Sequence, residues 1–180
     1  MHVLVFVGSL RADSANRRLA RAAAAHLPAD ATAEFYDGLE ALPFYSEELD
    51  VPGALPDAVE ALRAAVARAD ALIVVTPEYN GSMAPVVHNA IDWASRPRGS
   101  AALAGLPTAV LAASGSPRGA QWARESAVRV LGVAGADVLP DHVGIPSAHA
   151  AFEDDRIVDA DLDAAVAGLV AALRSRRAAA

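Results

Sequence analysis

Apolar positions along the chain fall into two kinds of run. Residues 3–7, 71–76 and 108–113 are apolar almost throughout, with no polar alternation. Such runs read as strands covered on both faces, as in a parallel sheet. Within residues 54–68, Val59, Leu62 and Val66 recur at spacings of three and four, and Leu162, Val166, Leu169 and Val170 do the same within 159–173. That period marks a helix with one buried face. Residues 17–26, 82–95 and 121–131 read as further helices, 31–36 and 136–139 as further strands, the last resumed at 142–145. Residues 39–53 and 147–156 read as loops. Strand and helix alternate five times, which predicts one α/β domain over residues 1–180, a parallel sheet with helices on both faces.

In such sheets ligands bind beyond the carboxyl ends of the strands, so the loops after the first, third and fourth strands are the places to look. The first is Gly8-Ser9-Leu10-Arg11-Ala12-Asp13-Ser14-Ala15-Asn16. A turn between a strand and a helix points backbone N–H groups at an anion. Here it adds the hydroxyls of Ser9 and Ser14, the Asn16 amide and the Arg11 guanidinium. We read it as a phosphate cradle, with Ser14 or Asp13 as the helix N-cap. An ordinary capped turn with a solvated Arg11 is the competing reading. The pattern is neither the lysine-bearing loop of nucleotide triphosphatases nor the dinucleotide fingerprint.

The second loop, Pro77-Glu78-Tyr79-Asn80-Gly81-Ser82, follows an apolar strand. Asn-Gly accepts positive φ, so the chain can reverse sharply and present successive N–H groups. Ser82 is the expected cap of the helix that follows, and Tyr79 offers an aromatic face. A planar heteroaromatic ring with carbonyl and imide edges suits such a wall of donors. The third loop, Ser114-Gly115-Ser116-Pro117-Arg118-Gly119, has glycines that permit close approach to a ligand.

Composition narrows the chemistry. The chain has no cysteine and its fifteen basic residues are all arginine. This leaves no disulfide, no thiolate nucleophile and no lysine amine for a Schiff base. A net charge of −7 argues against a general nucleic-acid binder. No apolar run approaches a membrane span and no targeting segment is evident, so a cytoplasmic protein is expected. The five histidines lack metal-ligand spacing, and no metal site is expected. Ser114 and Ser116 do not form a nucleophile elbow. Trp93 and Trp122 read as core or subunit-contact residues. Arg174, Arg176 and Arg177 complement the dipole of the last helix.

Taken together, Gly8-Ser9-Leu10-Arg11-x-x-Ser14-x-Asn16, then Pro77-Glu78-Tyr79-Asn80-Gly81-Ser82, then Asn89-Ala90-x-Asp92-Trp93 resemble the NADPH-dependent FMN reductase family. Asp37 with Leu42-Pro43 extends the resemblance. It implies a flavodoxin-like, doubly wound sandwich with a five-stranded parallel sheet of order 2-1-3-4-5. It implies FMN held through its phosphate by Ser9, Arg11, Ser14 and Asn16, with its ring against Pro77, Glu78, Tyr79, Asn80, Gly81 and Ser82. NAD(P)H would be the electron donor and a quinone, flavin, dye or metal oxyanion the acceptor, in a homodimer or homotetramer. The cofactor carries the chemistry, so no catalytic acid or base is assigned. The chain departs from the family at His88, where lysine is common, and in the third loop, which lacks paired glycines. There Arg118 meets either an NADPH phosphate or the protein surface. The alternative is a flavodoxin-like electron carrier without NAD(P)H turnover; Arg11 favours the reductase.

Overall fold

The computed structural model describes residues 1–179, the side chains of 177–179 excepted, so the Arg177 side chain lies outside the described residues. Strand β1 (His2–Val7) leads into helix α1 (Ala15–Ala25) and then β2 (Thr32–Phe35). Helix α2 (Asp57–Arg68) and strand β3 (Ala71–Val75) follow. The chain then forms a small hairpin, β4 (Glu78–Tyr79) with β5 (Ser82–Met83), before helix α3 (Pro85–Ala94). Strand β6 (Pro107–Ala113) and helix α4 (Gln121–Val133) precede two short strands, β7 (Asp137–Val138) and β8 (Val143–Ile145). A second small hairpin, β9 (Phe152–Glu153) with β10 (Arg156–Ile157), leads to helix α5 (Ala160–Ala179).

The sheet runs β2-β1-β3-β6, with β7 and β8 both pairing in parallel with β6 at the fifth position. This is the flavodoxin-like order 2-1-3-4-5, its last position split in two. Pro140 stands between the halves and has no N–H for a ladder. The apolar runs alternate in which layer they serve. Leu4, Phe6, Leu72 and Val74 face the layer of α2, α3 and α4, while Val3, Val5, Val7, Ile73 and Val75 face α1 and α5. Two covered faces explain why these strands carry no polar alternation.

Two expectations are corrected. Ser82 does not cap a helix; it pairs with Tyr79 in the β4–β5 hairpin. Asn80 and Gly81 both have positive φ, 51° and 75°, the two-residue turn that folds a hairpin back. The helix starts at Pro85, whose fixed φ and missing N–H suit a first helical position. Residues 147–156 also hold the first strand of the β9–β10 hairpin, with Asp154 at φ 53° in its turn. Two-residue strands are too short to leave a period in the sequence.

Candidate functional site

Three loops meet at the carboxyl edge of the sheet, and specific contacts tie them together. The Gly8 N–H donates to Val75 O at 2.8 Å, which joins the end of β1 to the end of β3. A Cβ on Gly8 would lie 2.8 Å from Val87 Cγ2, 3.0 Å from Ala84 Cβ and 3.2 Å from Pro77 Cδ. Only glycine lets the first loop leave its strand this close to the second. Asn16 then connects the first loop to the third. Its amide nitrogen donates to Ala113 O at 2.9 Å, and its oxygen accepts the Ala113 N–H at 2.8 Å. The Asn16 side chain is therefore committed to β6, and what it offers a ligand is its backbone N–H.

Ser14 caps α1, its Oγ accepting the Arg17 N–H at 3.1 Å. The first bond of the helix runs from Arg18 N to Ser14 O. The N–H groups of Ala15 and Asn16 lie before it, at the positive end of the helix dipole. Ser9 and Ser14 are buried, at 4% and 2% exposure, and each carries a hydroxyl proton. Arg11 is exposed and, among the described residues, has no hydrogen-bond or ion-pair partner. Asp13, the other expected cap, pairs instead with Arg18 at 2.8 Å. Sequence reading missed Arg17. Its Nε is buried without a hydrogen bond, and its Nη1 stands 3.7 Å from Asp37. An unpaired guanidinium, an orphaned arginine nitrogen and free helix N–H groups fit the phosphate that the family resemblance implies.

The second loop is shaped by buried Thr76. Its Oγ1 donates to Pro77 O at 3.0 Å and accepts the Ala84 N–H at 2.9 Å, which closes the base of the hairpin. Glu78 Oε2 accepts the Ala123 N–H at 3.1 Å. It stands in for a side-chain cap on α4, whose own N-cap residue, Ala120, has φ 55° and nothing to offer. Ser82 Oγ lies 3.2 Å from Ser126 Oγ. Tyr79 remains half exposed. It shares a cleft of about 480 Å³ with Phe44, Asn80, Met83 and His88.

The third loop builds itself. Ser114 Oγ accepts the Ser116 N–H and Ser116 Oγ accepts the Arg118 N–H, at 3.1 and 3.2 Å. Arg118 places its guanidinium over Trp122, 4.8 Å from the ring centroid, and a Cβ on Gly81 would lie 3.5 Å from the same ring. The stack joins the third loop to the hairpin turn. Trp122 is thus half exposed at the site, not core, whereas Trp93 is fully buried and donates Nε1–H to Pro43 O. At the far end of the chain, Arg176 pairs with Asp137 at 2.8 Å. A groove of about 790 Å³ between α5 and residues 139–143 shares no lining residue with the three loops.

Beneath the third loop, Arg124 reaches His142. Burial first, and the Arg124 charge second, lower the His142 pKa below its usual 6.5. Among the described residues no helix is long and apolar enough to cross a membrane.

Comparison with known proteins agrees with this geometry. The family model for NADPH-dependent FMN reductase matches residues 1–150. A 2-hydroxy-1,4-benzoquinone reductase from a Burkholderia species is 44% identical over 114 residues, 63% of this chain and 61% of that protein. An NAD(P)H-dependent FMN reductase from Pseudomonas aeruginosa is 44% identical over 112 residues, 62% of this chain and 59% of its own length. These matches thus span about three fifths of the curated relatives. Among solved structures, FerB from Paracoccus denitrificans, a flavoenzyme NAD(P)H:(acceptor) oxidoreductase, superposes with a TM-score of 0.86 at 30% identity. That match covers 98% of this chain and 97% of FerB.

Proposed function

The chain belongs to the NADPH-dependent FMN reductase family, and from that premise we propose that it is an FMN-dependent NAD(P)H oxidoreductase that reduces a quinone or another small acceptor. The observation that carries this reading is the convergence of the three loops. Gly8 wedged under Pro77 and Asn16 bonded to Ala113 bring a phosphate-type loop and a ring-type hairpin to one edge of the sheet.

Arg11, Ser9, Ser14 and the first-turn N–H of Asn16 would hold the phosphate. The backbone of residues 77–82 would line the ring, and Ser114, Gly115, Ser116, Arg118 and Gly119 would close its other side. Bound there, FMN would supply the redox chemistry between NAD(P)H and the acceptor. The protein's share is position and charge: Thr76, Glu78 and the two loop serines fix the shape of the loops, and backbone N–H groups that those loops turn toward the ring would favour negative charge there. Arg118, stacked on Trp122, stands at the mouth where a nucleotide phosphate would arrive.

Exposed Val133 and half-exposed Trp122 lie on α4 and support pairing of that helix in a homodimer or homotetramer, which light scattering measures. A cytoplasmic setting suits a chemistry that draws on the NAD(P)H pool. The test of function is direct. The protein should purify yellow or take up FMN, and should oxidise NADPH, followed at 340 nm, when a benzoquinone is added. FMN uptake without NADPH oxidation would identify an electron carrier instead, and a protein that refuses FMN would overturn the reading.

A further inference from the structure

One side chain holds the third loop from beneath. Arg124, in the first turn of α4, donates from Nε to Gly119 O at 3.0 Å and from Nη2 to Arg118 O at 3.5 Å. Its Nη1 donates to His142 O at 3.2 Å and lies 2.6 Å from His142 Nδ1. A guanidinium has no acceptor, so Nδ1 must be the bare nitrogen and the ring proton sits on Nε2. The backbones of Gly119 and Gly144 are packed together here, and a Cβ on Gly144 would run into Gly119 O and the Arg124 guanidinium. Loop, helix and β8 therefore meet with no slack, and the guanidinium, carried by the helix, bonds both the loop carbonyls and His142 just before β8.

We propose that Arg124 is the positioning residue of the 114–119 loop, and that the bare Nδ1 of His142 is its latch, opened by protonation, so that mild acid loosens the loop and weakens cofactor binding. The inference rests on the FMN reading above. A proton on Nδ1 removes an acceptor and sets one cation against another at hydrogen-bond distance. Arg124 must then turn away, which frees the carbonyls of Gly119 and Arg118.

The surrounding charges are few. Glu125 on α4 and Asp141 beside the histidine favour the protonated ring, and burial with Arg124 opposes it more strongly. Glu78 from the hairpin faces Arg124. Arg118 is held over Trp122, and on α5 Arg176 is paired with Asp137. Strand β6 presents only Leu111 and Ala112 opposite Val143 and Gly144. Because the folded pKa is depressed, the latch is fully closed above pH 6.5 and is lost as pH falls through the lowered value.

The test is FMN binding by the full chain, read from quenching of flavin fluorescence at about pH 7.5 and at successively lower pH down to the acid limit of the folded wild type. The phosphate of FMN also titrates in this window, so the informative quantity is the ratio of variant to wild type at each pH. His142→Asn keeps an acceptor oxygen that does not titrate. It should bind FMN tighter than wild type at the acid end, by a factor that grows as pH falls towards about tenfold, the effect of one hydrogen bond to a charged group, and show a much smaller ratio at the higher pH. Arg124→Ala should weaken binding about tenfold at the higher pH and remove the acid-specific part of the loss. A His142→Asn ratio that stays constant over that whole pH range overturns the latch, and does so even if Arg124→Ala fails to fold. Unchanged binding by a folded Arg124→Ala overturns the positioning role. A wild type that binds no FMN at the higher pH overturns the cofactor reading along with this inference.

Discussion

The 8–16 loop and the 114–119 loop face the same mouth and are built on opposite plans. In the first, the fold is secured by a backbone N–H at Gly8 and an amide at Asn16, which leaves the Arg11 guanidinium without a protein partner among the described residues. In the third, nearly every side chain is committed to shape. Ser114 and Ser116 bond their own backbone, Arg118 lies on Trp122, and Arg124 gathers the loop carbonyls. A side-chain charge is thus kept ready where a phosphate would sit, and a fixed backbone is prepared where a flat ring would lie. The two ends should respond differently to mutation.

The largest effect is expected at Asn16, which holds both plans together. Asn16→Ala orphans the N–H and C=O of Ala113 at a cost of about 1–3 kcal/mol each. For a domain of this size that lowers the melting temperature by roughly 4–24 °C. A thermal melt checks it, and an unchanged melting temperature would show that the two loops do not depend on this bond. Next comes Arg11→Ala, which deletes a charge-assisted contact of about 1.5–3 kcal/mol and should weaken FMN binding roughly 10- to 150-fold. Because the residue is exposed and unpaired, its melting temperature without ligand should match wild type. A variant that melted early would mean Arg11 serves the fold, and the contrast between the loops would fail. The smallest effect belongs to Glu78→Gln. The amide oxygen can still accept the Ala123 N–H, so only the charge at the start of α4 is lost, about 0.3–1 kcal/mol. Chemical denaturation resolves a change of that size, and a loss of several kcal/mol would show that the carboxylate carries the hairpin.

The sheet was legible because three of its strands are covered on both faces and are apolar along their length. The Asn80-Gly81 turn was legible because few other pairs accept positive φ in succession. The hairpin around it was not, since strands of two residues have no period and Ser82 resembles a cap until Pro85 is seen to begin the helix. The side-chain roles were the least readable. Asn16 looks like a ligand in the sequence, yet its amide bonds to Ala113, 97 residues away. Arg17, Arg124 and His142 carry no motif at all. Their parts depend on contacts between distant segments, such as Arg124 with His142, and local patterns do not record these.

Comparing FMN with riboflavin, on wild type and on Arg11→Ala, tests the central claim most directly. Riboflavin has the ring and lacks the phosphate. If the 8–16 loop reads charge and the 77–82 and 114–119 loops read the ring, wild type should prefer FMN strongly. Arg11→Ala should cut that preference roughly 10- to 150-fold while binding riboflavin as wild type does. Equal weakening of both ligands, or a preference unchanged by the substitution, would contradict the account.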